Sequence, residues 1–535
     1  MDERALNGIL QSLDRRTFIR LSGKGIGFAA VANHLSACGG SSAGENSTNT
    51  PTGQEQTPTA DTLPVPSQAY LMLSRTSFGV THEDLALVEQ MGIDAYLDQQ
   101  LDPDSMDTSA LENEIAMRFP LTQSSAAELY SGFPDNIGEV AQQMVAATQY
   151  RQLFSKRQLY ELMVEFWSNH FNIHLLNGLG PTLKPADDKN VIRPHALGNF
   201  RDLLHASAKS PAMLFYLDNF YNQAEAPNEN YARELLELHT LGVDGGYSEL
   251  DIKQVARCFT GWSLTFPGQD DPFGEYRYYD FLHDKNAKQV LGLSIAAGGA
   301  EKDGEQVLDY LATHPSTAQF ISTKLCRYFI SDTPSDTLVN AVASVFMETN
   351  GDIKSLLRTL LTSAEFLESY DLKFSTPSQY LGRLARSLNT SNAFPSDQGL
   401  LFYYAQYLLG QLPFNWATPD GYPQSTSYWS NTGSLLNRWR FSFLSFANQI
   451  SAFQVFTINW AHLIGTANTT SELVTALESR LLCRTMAEED RQIIMDWLLT
   501  TLNTTEDGQL NDDIINAIVP AIAAVMASSV YFQMR

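Results

Sequence analysis

The residues best suited to chemistry gather between Asn228 and Trp262, in the stretch NENYARELLELHTLGVDGGYSELDIKQVARCFTGW. Pro227 breaks the preceding chain and Asn228 offers an N-cap, while Tyr231, Leu235 and Leu238 recur at the spacing of one buried helical face. Asn230, Glu234 and Glu237 share another face, and Arg233 stands four residues before Glu237. Two acids three residues apart repel by roughly a few tenths of a kcal/mol on an exposed helix, so something must compensate them or use them. The spacing admits three arrangements: an Arg–Glu–Asn network tying two helices together, a catalytic or ligand-binding cluster, and, with His239, a metal site.

A second group lies upstream. His170 and His174, four apart in HFNIH, place two imidazoles on one helical face at a spacing that suits zinc, with Glu165, Glu234, Glu237 or His239 as ligands from elsewhere. The plainer expectation is a core histidine at 170 bonded to a neighbouring helix and a helix-end cap at 174. Asn169, His170, Arg193 and His195, with Tyr231, Arg233 and Glu234, form the set that β-elimination on a uronic-acid polysaccharide needs. Such a reaction takes an amide or cation for the carboxylate, a base for the proton α to it and an acid for the leaving oxygen. Glu234 or His170 is the expected base, and Arg193 or Arg233 the anion holder. Residues 183–210 carry Lys184, Lys189, Arg193, Arg201 and Lys209 against Asp187, Asp188 and Asp202, a basic island in an acidic chain. The same arginines also suit a loop pinned to carboxylates.

A hydrolase would instead pair Glu234 or Glu237 as general acid with Asp280 or Asp284. His283 and Asp284 end an aromatic stretch, and Trp262, Tyr279, Tyr422 and Trp429 would stack on sugar rings, although the same rings suit core or loop-anchor positions. An enzyme of either kind must gather Asn169, His170, His195, Glu234 and Glu237 around one concave pocket, whereas a scaffold would scatter them.

The stretch at 228–262 resembles the signature of the DUF1800 family, exported bacterial proteins without an assigned function. Further matches follow in family order: SRTSFG at 74–79, FWSNHF at 166–171, IRPHALGNFRDLL at 192–204, KSPAMLFYLDN at 209–219 and HDKNAKQVLG at 283–292. Residues 314–329 and GYPQSTSYWSNTGSLLNR at 421–438 continue it, so the resemblance is clearest over 69–445. It implies export but names no reaction and no cofactor. Family members are commonly accompanied by a second exported protein, DUF1501, which resembles the alkaline-phosphatase superfamily. The resemblance therefore implies an alternative in which this chain is a non-catalytic scaffold or binding partner; a metal-dependent or redox protein is a further alternative.

Helices must position these groups. Apolar residues recur at helical spacing over 83–91, 93–99, 141–171, 209–222, 306–312, 316–330, 338–348, 353–361 and 379–388. Ser248 followed by Asp251 reads as a capping box, and Gly242, Gly245 and Gly246 turn the chain between two helices. Strand-like alternation is confined to 262–266 and 276–281, and long loops are expected at 173–195, 264–300 and 411–435. The fold class is mainly α, a large multi-helical body at 68–535 with room for two lobes. One internal echo stands out: IKSLLRTLLTSAEF at 353–366 and INAIVPAIAAVMASSVYF at 515–532 both run an apolar helix into a serine-containing turn and an aromatic.

The chain has 535 residues, 44% of them hydrophobic, and a formal net charge of −25, which repels phosphate backbones and argues against nucleic-acid partners. The head departs from this balance. Arg15-Arg16-Thr17-Phe18-Ile19-Arg20 matches the twin-arginine export pattern, which carries folded proteins, and a short, mildly apolar segment follows. Leu35-Ser36-Ala37-Cys38 then reads as a lipobox, so residues 1–38 form a signal peptide and Cys38 would anchor the protein to a membrane by lipid. Gly39 after the cysteine leans to the outer membrane, facing periplasm or cell surface. Residues 39–67 hold almost no large apolar side chains and form a tether. Cys258, Cys326 and Cys483 remain, an odd number in apolar patterns, so at least one is a buried free thiol. No nucleophile elbow, P-loop, HExxH or dinucleotide fingerprint occurs.

Overall fold

The computed structural model describes residues 63–268, 272–388, 398–447 and 458–535. Arg15, Arg16, Cys38 and most of the tether lie outside them. The described chain is mainly helical, with two small antiparallel hairpins, Trp262–Leu264 with Tyr276–Tyr278 and Lys288–Val290 with Leu293–Ile295. The first hairpin falls in the two stretches of alternation. The second starts in HDKNAKQVLG and ends just past it at Ile295, and its three-residue strands are too short to show a period.

Most helices start and stop where local chemistry places them. Ser248 and Asp251 form the reciprocal capping box that opens Glu249–Cys258. The stretch 141–171 divides into Ile137–Phe154 and Gln158–His170. Two expectations change. Residues 173–195 are largely helical, with Gly180–Asp187 running through a wider turn at Asp188–Ile192 into Arg193–His195. Buried polar contacts hold this segment, since Asp187 takes Lys184 at 2.5 Å and the Ser210 hydroxyl at 2.6 Å. The helix at 228–239 is also not uniform. Asn228 accepts from the Asn230 amide, the helix covers Asn230–Glu234, and it then widens into a π-helical turn at Leu235–Thr240.

The buried apolar side chains of the described residues separate into two large cores and a small third cluster around Leu129, Val140 and Met144. One large core gathers Trp167, Leu204, Leu235, Val255 and Leu357; the other gathers Tyr380, Leu477, Leu498, Ile522 and Phe532. SRTSFG joins them. Arg75 is fully buried and donates to the carbonyls of Phe329 (2.6 Å), Ile330 (2.9 Å), Arg535 (2.8 Å) and Ser369. A guanidinium suits this place because its forked donors satisfy helix-end carbonyls that burial would otherwise orphan. Gly79 follows because a Cβ there would stand 2.5 Å from the Cα of Arg383. Arg383 in turn donates to the carbonyls of Phe532 (3.0 Å) and Met534 (2.9 Å).

The sequence echo is also structural. Helix Ile353–Leu361 leads through Ser363 into Ala364–Leu367, and Asp512–Ser528 leads through Ser529 into Val530–Gln533. Ser363, Phe366 and Ser369 repeat the spacing of Ser529, Phe532 and Arg535, and the last residue of each trio gives its carbonyl to Arg75. Leu325-Cys326-Arg327 and Leu482-Cys483-Arg484 extend the echo upstream. Among the described residues no helix is long and apolar enough to cross a membrane.

Candidate functional site

Helix Gln158–His170 buries Leu159, Leu162, Met163, Phe166 and Trp167, so its opposite face is free to carry polar groups. Glu161, Glu165, Ser168 and Asn172 follow at helical spacing and line a cavity of about 780 Å³, open to solvent. Its other walls are Tyr328, the start of helix Pro377–Ser387 and the segment 411–424. Many of its lining residues carry amides or hydroxyls, interleaved with the rings of Phe166, Tyr328, Phe414 and Tyr422, and most of the surface they expose to the cavity is apolar. Phe414 holds a left-handed backbone (φ 60°), a costly conformation for a bulky residue.

Glu165 is the group with the most chemical consequence. The Tyr328 hydroxyl donates to its Oε2 at 3.2 Å, and Gln379 donates to that hydroxyl oxygen at 3.4 Å. Gln379 is fixed by its own capping role, accepting from the Thr376 amide at 3.0 Å. Burial pushes the Glu165 carboxyl up to about 7 against the opposing pull of Tyr328 and Arg535. Burial and the Glu165 charge raise the Tyr328 phenol well above its usual range. At the far wall Arg193 contacts Glu161 at 3.1 Å and Asp188 at 2.8 Å. Burial raises Glu161 despite Arg193; at Asp188 burial is overcome by Arg193, Arg151 and Lys184, which hold it low. The Ser168 hydroxyl and the Arg193 Nη2 are buried without a partner. A ligand or water in the cavity would satisfy both.

Of the residues singled out by type and spacing, Asn169 and Arg193 line this cavity, and Tyr422 and Glu165 join them there. The others do not assemble around it. His170 is 2% exposed on the far side of the helix. Its Nε2 donates to the His239 carbonyl at 3.1 Å and its Nδ1 accepts from the Lys324 ammonium at 2.9 Å, which fixes the neutral tautomer. Burial, Lys324 and His239 keep His170 well below its usual range, burial holds His239 at about 3, and burial lowers Lys324 to about 8. His174 meets the Asn415 amide oxygen at 3.2 Å. Among the described residues no three His, Cys, Asp or Glu side chains gather to hold an ion, so His170, His174, Glu234 and His239 form no common ligand set.

Glu234, at the end of the α-helix, and Glu237, in the π-turn after it, are half-buried outside the cavity lining, and burial followed by Glu237 raises Glu234. Arg233 does not pair with Glu237; it takes Glu249 through two bonds of 2.8 and 2.9 Å and lies 3.7 Å from Glu229, clamping the two arms of the hairpin. Tyr231 is core, edge-on to Phe259. His195 is half-buried and outside the cavity lining. Two of the four expected sugar platforms are occupied by structure. Trp262 is 0% exposed, and Trp429 is buried with its indole N–H on the Pro423 carbonyl at 2.7 Å. His283 bonds the Thr260 carbonyl at 2.8 Å and Asp303 at 3.2 Å, while Asp284 pairs with Arg257 at 2.6 Å. Cys258, Cys326 and Cys483 are all buried free thiols, pushed up to about 12 by burial.

The groups that composition did not single out are Glu161, Tyr328 and Gln379. Glu161 and Glu165 are legible as two carboxylates four apart on the polar face of an otherwise apolar helix. Tyr328 and Gln379 come from distant helices, and no local spacing links them to Glu165.

Comparison with curated proteins and with solved structures returns no match. A family model described as a protein of unknown function, DUF1800, matches residues 71–534, reaching well past the motifs at 69–445 to include the second core. The chain therefore belongs to the DUF1800 family.

Proposed function

We propose that this protein is an exported, lipid-anchored enzyme that cleaves an acidic polysaccharide by β-elimination in the cavity beside helix Gln158–His170. The observation that carries the reading is Glu165, a carboxyl at about 7 facing an open cavity of hydroxyls, amides and rings, with a phenol hydrogen-bonded to it. A group that titrates near working pH is suited to take and return a proton. Glu165 carboxylate removes the proton α to the sugar carboxylate; the Tyr328 hydroxyl protonates the leaving glycosidic oxygen, and the C–O bond breaks as the double bond forms. The Glu165 proton then returns to the Tyr328 oxygen along their hydrogen bond. Export at Arg15 and Arg16 and lipid attachment at Cys38 belong to the same reading, resting on the sequence pattern.

The test is incubation of the purified protein with a panel of uronate-containing polysaccharides, following the ultraviolet absorbance of the unsaturated product. Glu165→Gln should lose activity by about 10²-fold or more while staying folded. New reducing ends without unsaturation would replace elimination by hydrolysis, and no turnover of any polymer would refute the enzyme. A second reading, a scaffold for a DUF1501-type partner, is favoured by the structural engagement of Arg233, His283 and Asp284. Co-purification of such a partner, unaffected by Glu165→Gln, would support it.

A further inference from the structure

Lys288 and Asp303 meet in the interior, one opening strand Lys288–Val290 and the other in the first turn of helix Lys302–Ala312. The Lys288 Nζ stands 2.5 Å from the Asp303 Oδ2, and both side chains are 0% exposed. Two further bonds fix the amine, to the carbonyls of Asp284 and Asn286, the second at 3.0 Å. The Asp284 carboxylate is taken by Arg257 at 2.6 Å, so among the described residues Asp303 is the only carboxylate that pairs with this amine. His283, also 0% exposed at its side chain, completes the group. Its Nδ1 donates to the Thr260 carbonyl at 2.8 Å, which leaves its Nε2, 3.2 Å from the same Asp303 oxygen, able to take up a proton and give it back. A well-made buried ion pair satisfies both carboxylate oxygens, yet the Asp303 Oδ1 is buried without a partner. Away from water a charged pair loses its hydration, and a proton passed from Nζ to Oδ2 leaves a neutral amine beside a neutral acid. With its two remaining N–H groups on the two carbonyls, the amine directs its lone pair along the former hydrogen bond, towards the Asp303 carboxyl.

We propose that Lys288 and Asp303 condense into an intramolecular isopeptide bond, a self-made covalent link that staples the hairpin at 288–295 to helix Lys302–Ala312. The Nζ lone pair forms the bond to the Asp303 Cγ. His283 Nε2 takes the proton that the nitrogen sheds and passes it to the Oδ2 hydroxyl, which leaves as water. One N–C bond forms and one C–O bond breaks, nothing is oxidised or reduced, and His283 ends as it began. Oδ1 remains as the amide oxygen, and an unpaired amide oxygen costs less in the interior than an unpaired carboxylate oxygen.

The purified full chain is digested with trypsin and its peptides are weighed by mass spectrometry, a test that the wild type alone decides. The expected result is that cleavage after Lys288 fails and that the segments holding Lys288 and Asp303 are recovered as one branched peptide, lighter than its parts by one water. Asp303→Asn should give a branched peptide of identical mass, because ammonia then leaves in place of water and the product is the same. Lys288→Met cannot react and supplies the unlinked reference whether or not it folds. His283→Gln should lower the branched fraction of freshly made protein by about tenfold or more; an unchanged fraction would overturn the role given to His283. Separate wild-type peptides of full mass, with cleavage after Lys288, would overturn the bond. A mixture supports it when the branched form grows on incubation of the native protein and not of protein unfolded in denaturant, and overturns it when the two behave alike.

Discussion

The Tyr328 hydroxyl donates to Glu165 across 3.2 Å, joining helix Pro315–Phe329 to helix Gln158–His170 at the wall of the cavity. Burial raises both groups, so the pair keeps its protons over a range in which exposed carboxyls have lost theirs.

A pH dependence follows. In the unfolded chain Glu165 ionises near the ordinary value of about 4.3, whereas in the folded protein it does so at about 7. The folded state therefore binds more protons between these values, and stability falls as pH rises through that window and levels off above it. Glu165→Gln removes the penalty and should be more stable than the wild type at pH 8, by roughly 1–3 kcal/mol, with little difference at pH 4. Thermal melts of both proteins across this range check it. Turnover should show a rising limb near pH 7 that the variant lacks.

Asn169 holds Tyr422 through both ends of its amide, donating to the carbonyl at 2.9 Å and accepting from the backbone N–H at 2.6 Å. Asn169→Ala should cost about 2–3 kcal/mol through two lost bonds and an orphaned carbonyl. Amide exchange should quicken in 411–424 and not in the distant hairpin at 288–295. Asn169→Asp keeps only the acceptor and should fall between.

Arg233 spans the hairpin on an exposed surface, with the Glu249 side chain 69% accessible. Arg233→Ala should cost under about 1 kcal/mol and leave turnover unchanged. A large loss of activity with normal melting would return Arg233 to the catalytic set.

Arg75 is the opposite case. Its guanidinium satisfies four carbonyls in the interior, and Arg75→Met should cost about 3–5 kcal/mol or prevent folding. Arg75→Lys keeps the charge with only three donors at a point, and should recover part of the loss. Denaturant unfolding of the three proteins orders them.

Much of the architecture was legible because it is written locally. Capping serines, positive-φ glycines and apolar stripes sit beside the helices they shape, and Ser248 with Asp251 behaves as its spacing predicts. The site was less legible because ionisable density is a poor guide to where a cavity opens. The acids and arginine around Glu234 mostly clamp one hairpin to itself, while the cavity belongs to a helix whose two carboxylates stand among apolar neighbours. The widened turn at Leu235–Thr240 was invisible for a similar reason, since one of its carbonyls, at His239, takes the His170 ring from 69 positions away and no local spacing shows that contact.

Arg75 and Arg535 stand 460 positions apart, and the bond between them closes the ring of carbonyls that joins the two cores. A ribosome delivers Arg75 hundreds of residues before Arg535, so the helices between them are made before this bond can form. Closure of the ring therefore depends on a contact of very high sequence separation, which makes it a late event in folding.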